Sequence, residues 1–523
     1  YPDNVVKRFC RLAYEHGMDI FRIFDSLNYL ENMKLGIDAV GEAGGVIEAC
    51  VCYTGDIADP TRTKYSLQYY LDRVGELVEA GIHILAIKDM AGLLKPPAAK
   101  MLIAALRKAH PELPIVVHTH DTAGTGVASM LACAHEGVDA VDVALPAMSG
   151  LTAQPTVAAI KAGLSHTPRA IEVETDAIRQ LNAYWEVARG LYAPFETGLT
   201  GYAPDLYEHE IPGGQYTNLR FQAQQLGLLE RWEDVKRSYA AANRLLGDIV
   251  KVTPSSKVVG DLAQFMVQNE LDEDGVRAQA STLSFPQSVI DFLAGRIGQP
   301  YGGFPEPLRS QVLRDGERID GRFGAGLADF DFDKLEAELV ESFRGRIREA
   351  DVMSAALYPQ VFREYQEFRD EFGDVSVVPT RFFLAPPEPN VEFTVEIERG
   401  KTLVVKLTAV GELDERGYRE VFFELNGQPR RVEVRDEGAE QVVAEREKAD
   451  AADPKSIGAP MPGTVIEVRV AKGDDVEPNA PLVVLSAMKM ETVVGAPEKG
   501  TVQRIAVSEG DVLAPGDLIL ELG

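Results

Sequence analysis

Through the first 150 residues, short apolar runs alternate with segments whose apolar positions recur at helical spacing. The runs Asp19–Phe24, Val46–Cys52, Ile82–Ile87, Pro114–Thr119 and Ala140–Ala144 predict strands. Ser66–Ala80 and Pro97–Ala109 predict amphipathic helices between them. Gly17, Gly81 and Gly137 stand just before strands, where a helix ends and the chain turns back. Strands alternating with helices predict a parallel sheet covered on both faces. A spacing of roughly thirty residues per unit fits a (β/α)8 barrel. Five units are visible where eight close a barrel, so the reading is a barrel lacking about three N-terminal strands. The alternative is a five-stranded doubly wound sheet, although no Gly-rich phosphate loop follows any strand.

The pattern then changes twice. From about 170 to 290 it is mostly helical, with Pro/Gly turns such as Ile211–Gly214, and 300–372 continues helical after the crossing at Gln299–Pro307. Val391–Ile397, Thr402–Ala409, Glu420–Leu425 and Arg431–Val434 alternate apolar and polar, as half-buried strands do. Asn426-Gly427 between the last two predicts a tight hairpin. Residues 437–456 are charged and poor in large apolar groups, which predicts a solvated linker. Residues 457–523 predict a small all-β module with an internal repeat of 37 residues, in which Gly463 matches Gly500, Val465 matches Val502, Gly473 matches Gly510 and Leu482 matches Ile519.

Composition narrows the function classes. A formal charge of −28 argues against a nucleic-acid partner, which needs a clustered basic face. No run of eighteen apolar residues and no signal peptide is visible, so no membrane partner is predicted. Four cysteines in 523 residues predict a reducing compartment and buried, inert thiols. The chain opens on Tyr1, inside a helix-like stretch, so the start of the protein is expected upstream.

Three places carry candidate chemistry. Ala487-Met488-Lys489-Met490 lies at the seam between the two halves of the β repeat. A long amine on a rigid tip suits covalent attachment of a prosthetic group. His118-Thr119-His120 ends a predicted strand, and two histidines at i and i+2 of an extended chain share a face where they can hold one metal. Lys88 ends the preceding strand. As an ammonium it repels a metal; carbamylated, it becomes an anionic oxygen donor. The alternative for Lys88 is a salt bridge to Asp89 or Asp25.

The β module resembles the biotin carboxyl carrier domains, whose Ala-Met-Lys-Met motif stands intact at 487–490, 34 residues from the C-terminus. Ile87–Pro96, His118–Thr122, Phe21–Leu30, Tyr53–Asp56, Asp59–Tyr70, Ile211–Leu219, Lys251–Lys257 and Gly302–Ser310 resemble the carboxyltransferase region of the pyruvate carboxylase family. The resemblance implies a partial carboxyltransferase barrel at 1–166 and its helical extension at 167–298. It further implies a small mixed α/β tetramerisation and allosteric region at 299–436, the linker at 437–456 and a biotin carrier domain at 457–523. It implies biotin on Lys489 and a divalent metal (Zn, Mn or Mg) on carbamylated Lys88, His118 and His120. The family's metal-binding Asp and pyruvate-binding residues belong to strands that precede Tyr1, so this chain alone is expected to be inactive. Thr253 would shuttle a proton between biotin and pyruvate, with Ser256, Lys257 and Tyr53 near biotin or substrate. On the residues alone, Thr253 could equally cap the helix after Pro254.

The implied reaction is carboxyl transfer from carboxybiotin to pyruvate, giving oxaloacetate. The implied partners are a biotin carboxylase upstream or in trans, using ATP and bicarbonate, a biotin protein ligase, and further copies in a homotetramer. The implied compartment is the cytoplasm of a bacterium or the mitochondrial matrix of a eukaryote. Two rival readings stand beside this one: the carboxyltransferase and biotin subunit of an oxaloacetate decarboxylase or transcarboxylase, and a non-catalytic fragment that displays biotin and holds a tetramer together.

Overall fold

The computed structural model describes all residues except 226–227, 344–346, 415, 437–445, 451–452, 461–462, 479 and 488–489. Its residues divide into two compact units, one of Tyr1–Glu186, Thr197–Phe330 and Ala449–Gly523, the other of Val187–Glu196 and Asp331–Lys448.

In the first unit five strands form one parallel sheet: β1 (Ile20–Ile23), β2 (Val46–Cys52), β3 (Ile84–Asp89), β4 (Ile115–Thr119) and β5 (Ala140–Val141). Their order in space is their order in sequence. A doubly wound sheet reverses direction midway. Here each right-handed crossover adds the next strand on the same side, which puts the helices on one face and is the winding of a (β/α) barrel. The predicted strands appear within about two residues, except that β5 ends at Val141, although the Asp142 N–H still donates to the Val117 carbonyl.

The helices follow as α1 (Asp3–Glu15), α2 (Leu30–Ala43), α3 (Leu67–Glu79), α4 (Pro96–Ala109), α5 (Gly126–His135) and α6 (Val157–Leu164). Strand alternation sorts the side chains. Leu85, Ile87, Ile115 and Val117 face the helices, where Leu102, Ile103 and Leu106 of α4 are fully buried. Burying each such side chain contributes about 1.5–3 kcal/mol. The opposite face carries Ile20, Val46, Ile84, Ala86 and Val116 and, interleaved with them, Arg22, Glu48, Lys88 and His118, so the interior turns polar toward the C-terminal strand ends. All four cysteines are free and buried; burial pushes the Cys50 and Cys133 thiols up to about 12.

Helices continue as α7 (Thr175–Tyr192), α8 (Leu206–His209), α9 (Gly213–Gln225), α10 (Trp232–Leu245) and α11 (Ser255–Gln268). Of these, α9, α10 and α11 share the hydrophobic core of the barrel through Leu219, Tyr239, Leu245, Val259 and Leu262.

In the second unit four antiparallel strands form a meander: β6 (Glu392–Glu398), β7 (Lys401–Leu413), β8 (Tyr418–Leu425) and β9 (Gln428–Arg435). The Asn426-Gly427 hairpin closes the Leu425–Gln428 pair, with φ of 49° and 75° at its two residues, the left-handed conformation a two-residue hairpin needs. Most of the predicted linker, 437–445 and 451–452, lies outside the described residues.

The C-terminal module has its own core, separate from that of the barrel. Its strands are β10 (Ser456–Gly458), β11 (Gly463–Val468), β12 (Asp475–Val476), β13 (Pro481–Ala487), β14 (Met490–Gly495), β15 (Gly500–Ile505), β16 (Val512–Leu513) and β17 (Leu518–Leu522). The repeat is physical. Val465 and Val502, and Leu482 and Ile519, are equivalent and fully buried. Asp474 and Asp511 accept from the N–H three residues back, Ala471 and Ser508, to close equivalent turns. The halves also interlock: β11 pairs with β16 of the second half, and β15 with β12 of the first.

Candidate active site at the strand ends

Lys88 and His118 stand directly opposite one another on the neighbouring strands β3 and β4. Parallel register points both to the inner face, and His120 follows two residues later.

Each histidine is oriented by a bond from its Nδ1. His118 Nδ1 lies 2.8 Å from Asp142 Oδ2, and His120 Nδ1 lies 2.6 Å from the Thr152 carbonyl. A carboxylate and a carbonyl only accept, so both Nδ1 atoms carry the proton. The two Nε2 atoms converge at 3.3 Å, close enough to share one proton or one metal ion. Their separation suits two ligands each ~2.0–2.1 Å from one metal. Burial pushes His120 down to about 4, keeping it neutral at pH 7, as a metal ligand must be.

Asp142 is the anchor of this arrangement. Burial would raise its carboxyl, but the bonds from His118 and Arg22 outweigh that and hold it down at about 2. Arg22 reaches Asp142 at 2.5 Å and Glu48 at 2.7 Å, so a chain of charges runs across the sheet interior to His118.

Lys88 makes neither of the salt bridges considered from sequence. Its Nζ lies over the Phe24 ring, 4.6 Å from the centroid. Asp89 is fully buried and turned to the other face, accepting from the N–H groups of Gly92, Leu93 and Leu94 and from the Thr119 hydroxyl. Asp25 accepts from Leu27, Tyr29 and Asn32. Burial holds both carboxyls above their usual range despite these donors. The local loops use up both acids, which leaves the Lys88 amine without a counter-ion among the described residues. Among those residues no group of three His, Cys, Asp or Glu side chains forms a metal cluster. The donors present are therefore two imidazoles and the Lys88 amine, which as an ammonium has no lone pair to offer and would join a metal's ligands as an anionic oxygen donor if carbamylated.

Phe24 leads to the second group. It lines a cavity of about 530 Å³ together with Asp25, Ser26, Thr253, Arg296 and Gly298. Thr253 is exposed there and makes no capping bond to α11. Ser255, two residues on, ties the turn instead, accepting from the Val252 N–H while its hydroxyl lies 2.6 Å from the Val250 and Val252 carbonyls. Ser256 is buried on α11, and Lys257 pairs with Asp261 at 2.5 Å. Tyr53 is placed differently. It is buried, stacked on Tyr70, with its hydroxyl accepting from the Ile57 N–H. Met488 and Lys489 lie outside the described residues; β13 and β14 are paired as far as Ala487 and Met490.

Sequence reasoning overlooked Asp142, the Thr152 carbonyl, Gln154 and two glycines. Gln154 Nε2 comes within 3.5 Å of His120 Nε2. Gly92 has φ +81°, and a Cβ there would lie 2.5 Å from the His120 carbonyl. A Cβ on Gly213 would lie 2.6 Å from His120 Nδ1 and 2.7 Å from the Thr152 carbonyl, the two atoms of the orienting bond. Gly213→Ala is therefore expected to swing the His120 ring and cost about 1–3 kcal/mol of stability, checked by thermal unfolding.

Comparison with known proteins agrees with these features. The HMGL-like family model matches residues 46–183. A model described as a conserved carboxylase domain matches 206–406, and one described as a biotin-requiring enzyme matches 455–522. The mitochondrial pyruvate carboxylase of Mus musculus is 54% identical over 524 residues, covering 100% of this chain and 44% of the relative. Pyruvate carboxylase 1 of Caenorhabditis elegans is 53% identical, covering 100% and 45%. The chain thus spans less than half the length of these curated relatives. The carboxyl transferase domain of Rhizobium etli pyruvate carboxylase superposes with a TM-score of 0.80 at 46% identity, covering 84% of this chain and 73% of that one. With the polar strand ends of its barrel interior, its facing histidines and its repeated β module, the chain belongs to the pyruvate carboxylase family, matching that family's carboxyltransferase and biotin-domain regions.

Proposed function

We propose that this chain supplies the carboxyltransferase and biotin-bearing part of an enzyme that transfers the carboxyl group of carboxybiotin, borne on Lys489, to pyruvate, giving oxaloacetate. The observation that carries the reading is the pair of Nε2 atoms facing each other at 3.3 Å at the C-terminal end of β4, where barrels of this kind keep their active sites. A related Rhizobium etli domain has been solved with pyruvate and biocytin, which supports the substrate assignment.

His118, His120 and carbamylated Lys88 would hold a divalent metal (Zn, Mn or Mg), whose contribution is to polarise the bound 2-oxo acid. Asp142 and the Thr152 carbonyl keep both imidazoles in the tautomer that presents Nε2. Thr253 donates and accepts at one oxygen. It would take the methyl proton of pyruvate as it gives its own to the biotin ureido nitrogen freed when the N–carboxyl bond breaks, and the CO2 released there would be captured in the new carbon–carbon bond. Ser256 and Lys257 flank that path on the first turn of α11.

The reading extends to partners. A biotin carboxylase, upstream or in trans, would charge the biotin using ATP and bicarbonate, and a biotin protein ligase would attach it. The region 299–436 would join copies into a homotetramer. The compartment would be the mitochondrial matrix in a eukaryote, in line with the name of the mouse relative, and the cytoplasm in a bacterium. Among the described residues no helix is long and apolar enough to cross a membrane.

The test is metal analysis of the complete biotinylated enzyme together with a pyruvate carboxylation assay. His118→Ala and His120→Ala are each expected to lose the metal and the transfer while keeping biotin. Asp142→Asn should weaken metal binding about 10–100-fold. Full metal content in both histidine variants would overturn the assignment.

A further inference from the structure

The segment 249–253 that presents Thr253 contains a lysine that the proposed mechanism does not use. Lys251 is 3% exposed, and all three donors of its ammonium are satisfied. Nζ lies 2.9 Å from Glu210 Oε2, 3.2 Å from Thr54 Oγ1 and 3.2 Å from the Ile249 carbonyl. Glu210 is itself unusual. Its φ is +55°, outside the ordinary range of a residue with a side chain, and its other oxygen accepts from Arg62 at 2.5 Å. Burial would raise its carboxyl, but Lys251 and Arg62 hold it below the usual range.

The same loop grips the segment from a second side. Lys64 donates to the Gly247 and Asp248 carbonyls at 2.6 and 2.9 Å, and the Tyr65 hydroxyl donates to the Asp248 carbonyl at 2.8 Å. Thr54, Arg62, Lys64 and Tyr65 all lie on the stretch that leaves the C-terminal end of β2. That strand ends with Cys52 in register with Lys88. One loop is thus fastened at its root to the strand beside the candidate metal site, and along its length to the residues just before Thr253.

A buried ion pair is a weak source of stability, since a packed apolar pair of the same volume does as well or better. What it adds is a tie: with all three N–H bonds used, the ammonium joins Glu210, Thr54 and the Ile249 carbonyl at one point. We infer that Lys251 is a positioning residue, which with Glu210 and Thr54 sets the place of the Thr253 hydroxyl relative to the strand ends. The inference rests on the proposed role of Thr253. A displacement of the order of 1 Å in a reacting group lowers rate about a hundredfold with little change in binding.

The experiment uses the complete biotinylated enzyme with Lys251→Met, Thr253→Ala and the double variant. Lys251→Met is expected to lower kcat for pyruvate carboxylation about 10–100-fold, with KM for pyruvate within about threefold, metal content intact and biotin-dependent ATP cleavage unchanged. In the double variant the loss should equal that of Thr253→Ala alone, because a residue acting through another adds nothing once that other is gone. Should Lys251→Met not fold, Glu210→Gln keeps the volume and removes the charge, and the same split is expected at about 3–10-fold. A rise in KM with unchanged kcat, or a full multiplicative loss in the double variant, overturns the positioning role and leaves Thr253 untouched. Unimpaired transfer in Thr253→Ala alone overturns the role of Thr253, and this inference with it.

Discussion

Lys489→Ala will leave the complete enzyme without biotin and without measurable carboxylation of pyruvate. A streptavidin blot reads the first and a coupled oxaloacetate assay the second. The expectation follows from where the residue sits in the chain. β13 and β14 belong to the two halves of the repeat, and their pairing runs out to Ala487 and Met490, one residue on either side of Met488-Lys489. The strands behind that pairing are anchored by Leu482, Val483 and Leu485, which are fully buried. Removing a side chain at the far end of so firm a base should not disturb the base, so the variant is expected to fold and express as the wild type does. Lys489→Arg should fail equally, because attachment needs a primary amine and a guanidinium is not one. Biotin retained in either variant would place the attachment elsewhere.

Thr253→Ala is expected to reduce carboxyl transfer about 10²–10⁴-fold, the range lost when a positioned proton carrier is removed. ATP-dependent carboxylation of free biotin should continue at the wild-type rate. The asymmetry is the informative part. Thr253 makes no capping bond, and the turn before α11 is held by Ser255, so alanine at 253 removes a hydroxyl from the cavity and little else. Thr253→Ser should keep most of the activity, since the oxygen is retained. Equal losses in both half-reactions would point to misfolding and count against the proton role.

The strands of the barrel were legible because each is a compact apolar run between helical stretches; Val46–Cys52 appears with the bounds its pattern predicts. Asn426-Gly427 was legible because only a few residues accept the backbone a two-residue hairpin demands. The histidine pair was visible from its spacing. Its orienting partner was not, since Asp142 stands 24 residues away and reaches His118 only through the pairing of the strands. Alternation along the apolar run Ala140–Ala144, which sets Ala140 and Asp142 on one face, was the available signal. The ambiguity over Lys88 was of another kind. Nearby Asp89 and Asp25 looked like its counter-ions, yet a short carboxylate at a strand end meets the N–H groups of its own loop before it meets a distant amine. Lys251 was hidden inside a motif quoted for its neighbour, and nothing in one dimension shows that Glu210 comes beside it.

The interlocking of β11 with β16 and of β15 with β12 bears on ancestry. A single unit of 37 residues is too short to bury a core of its own, and here neither half completes its sheets without strands of the other. An ancestor of one unit could have been stable only as two identical chains exchanging strands across a twofold axis. Duplication and fusion would have turned that swapped homodimer into one polypeptide, and Lys489 now lies on the segment that joined the two halves.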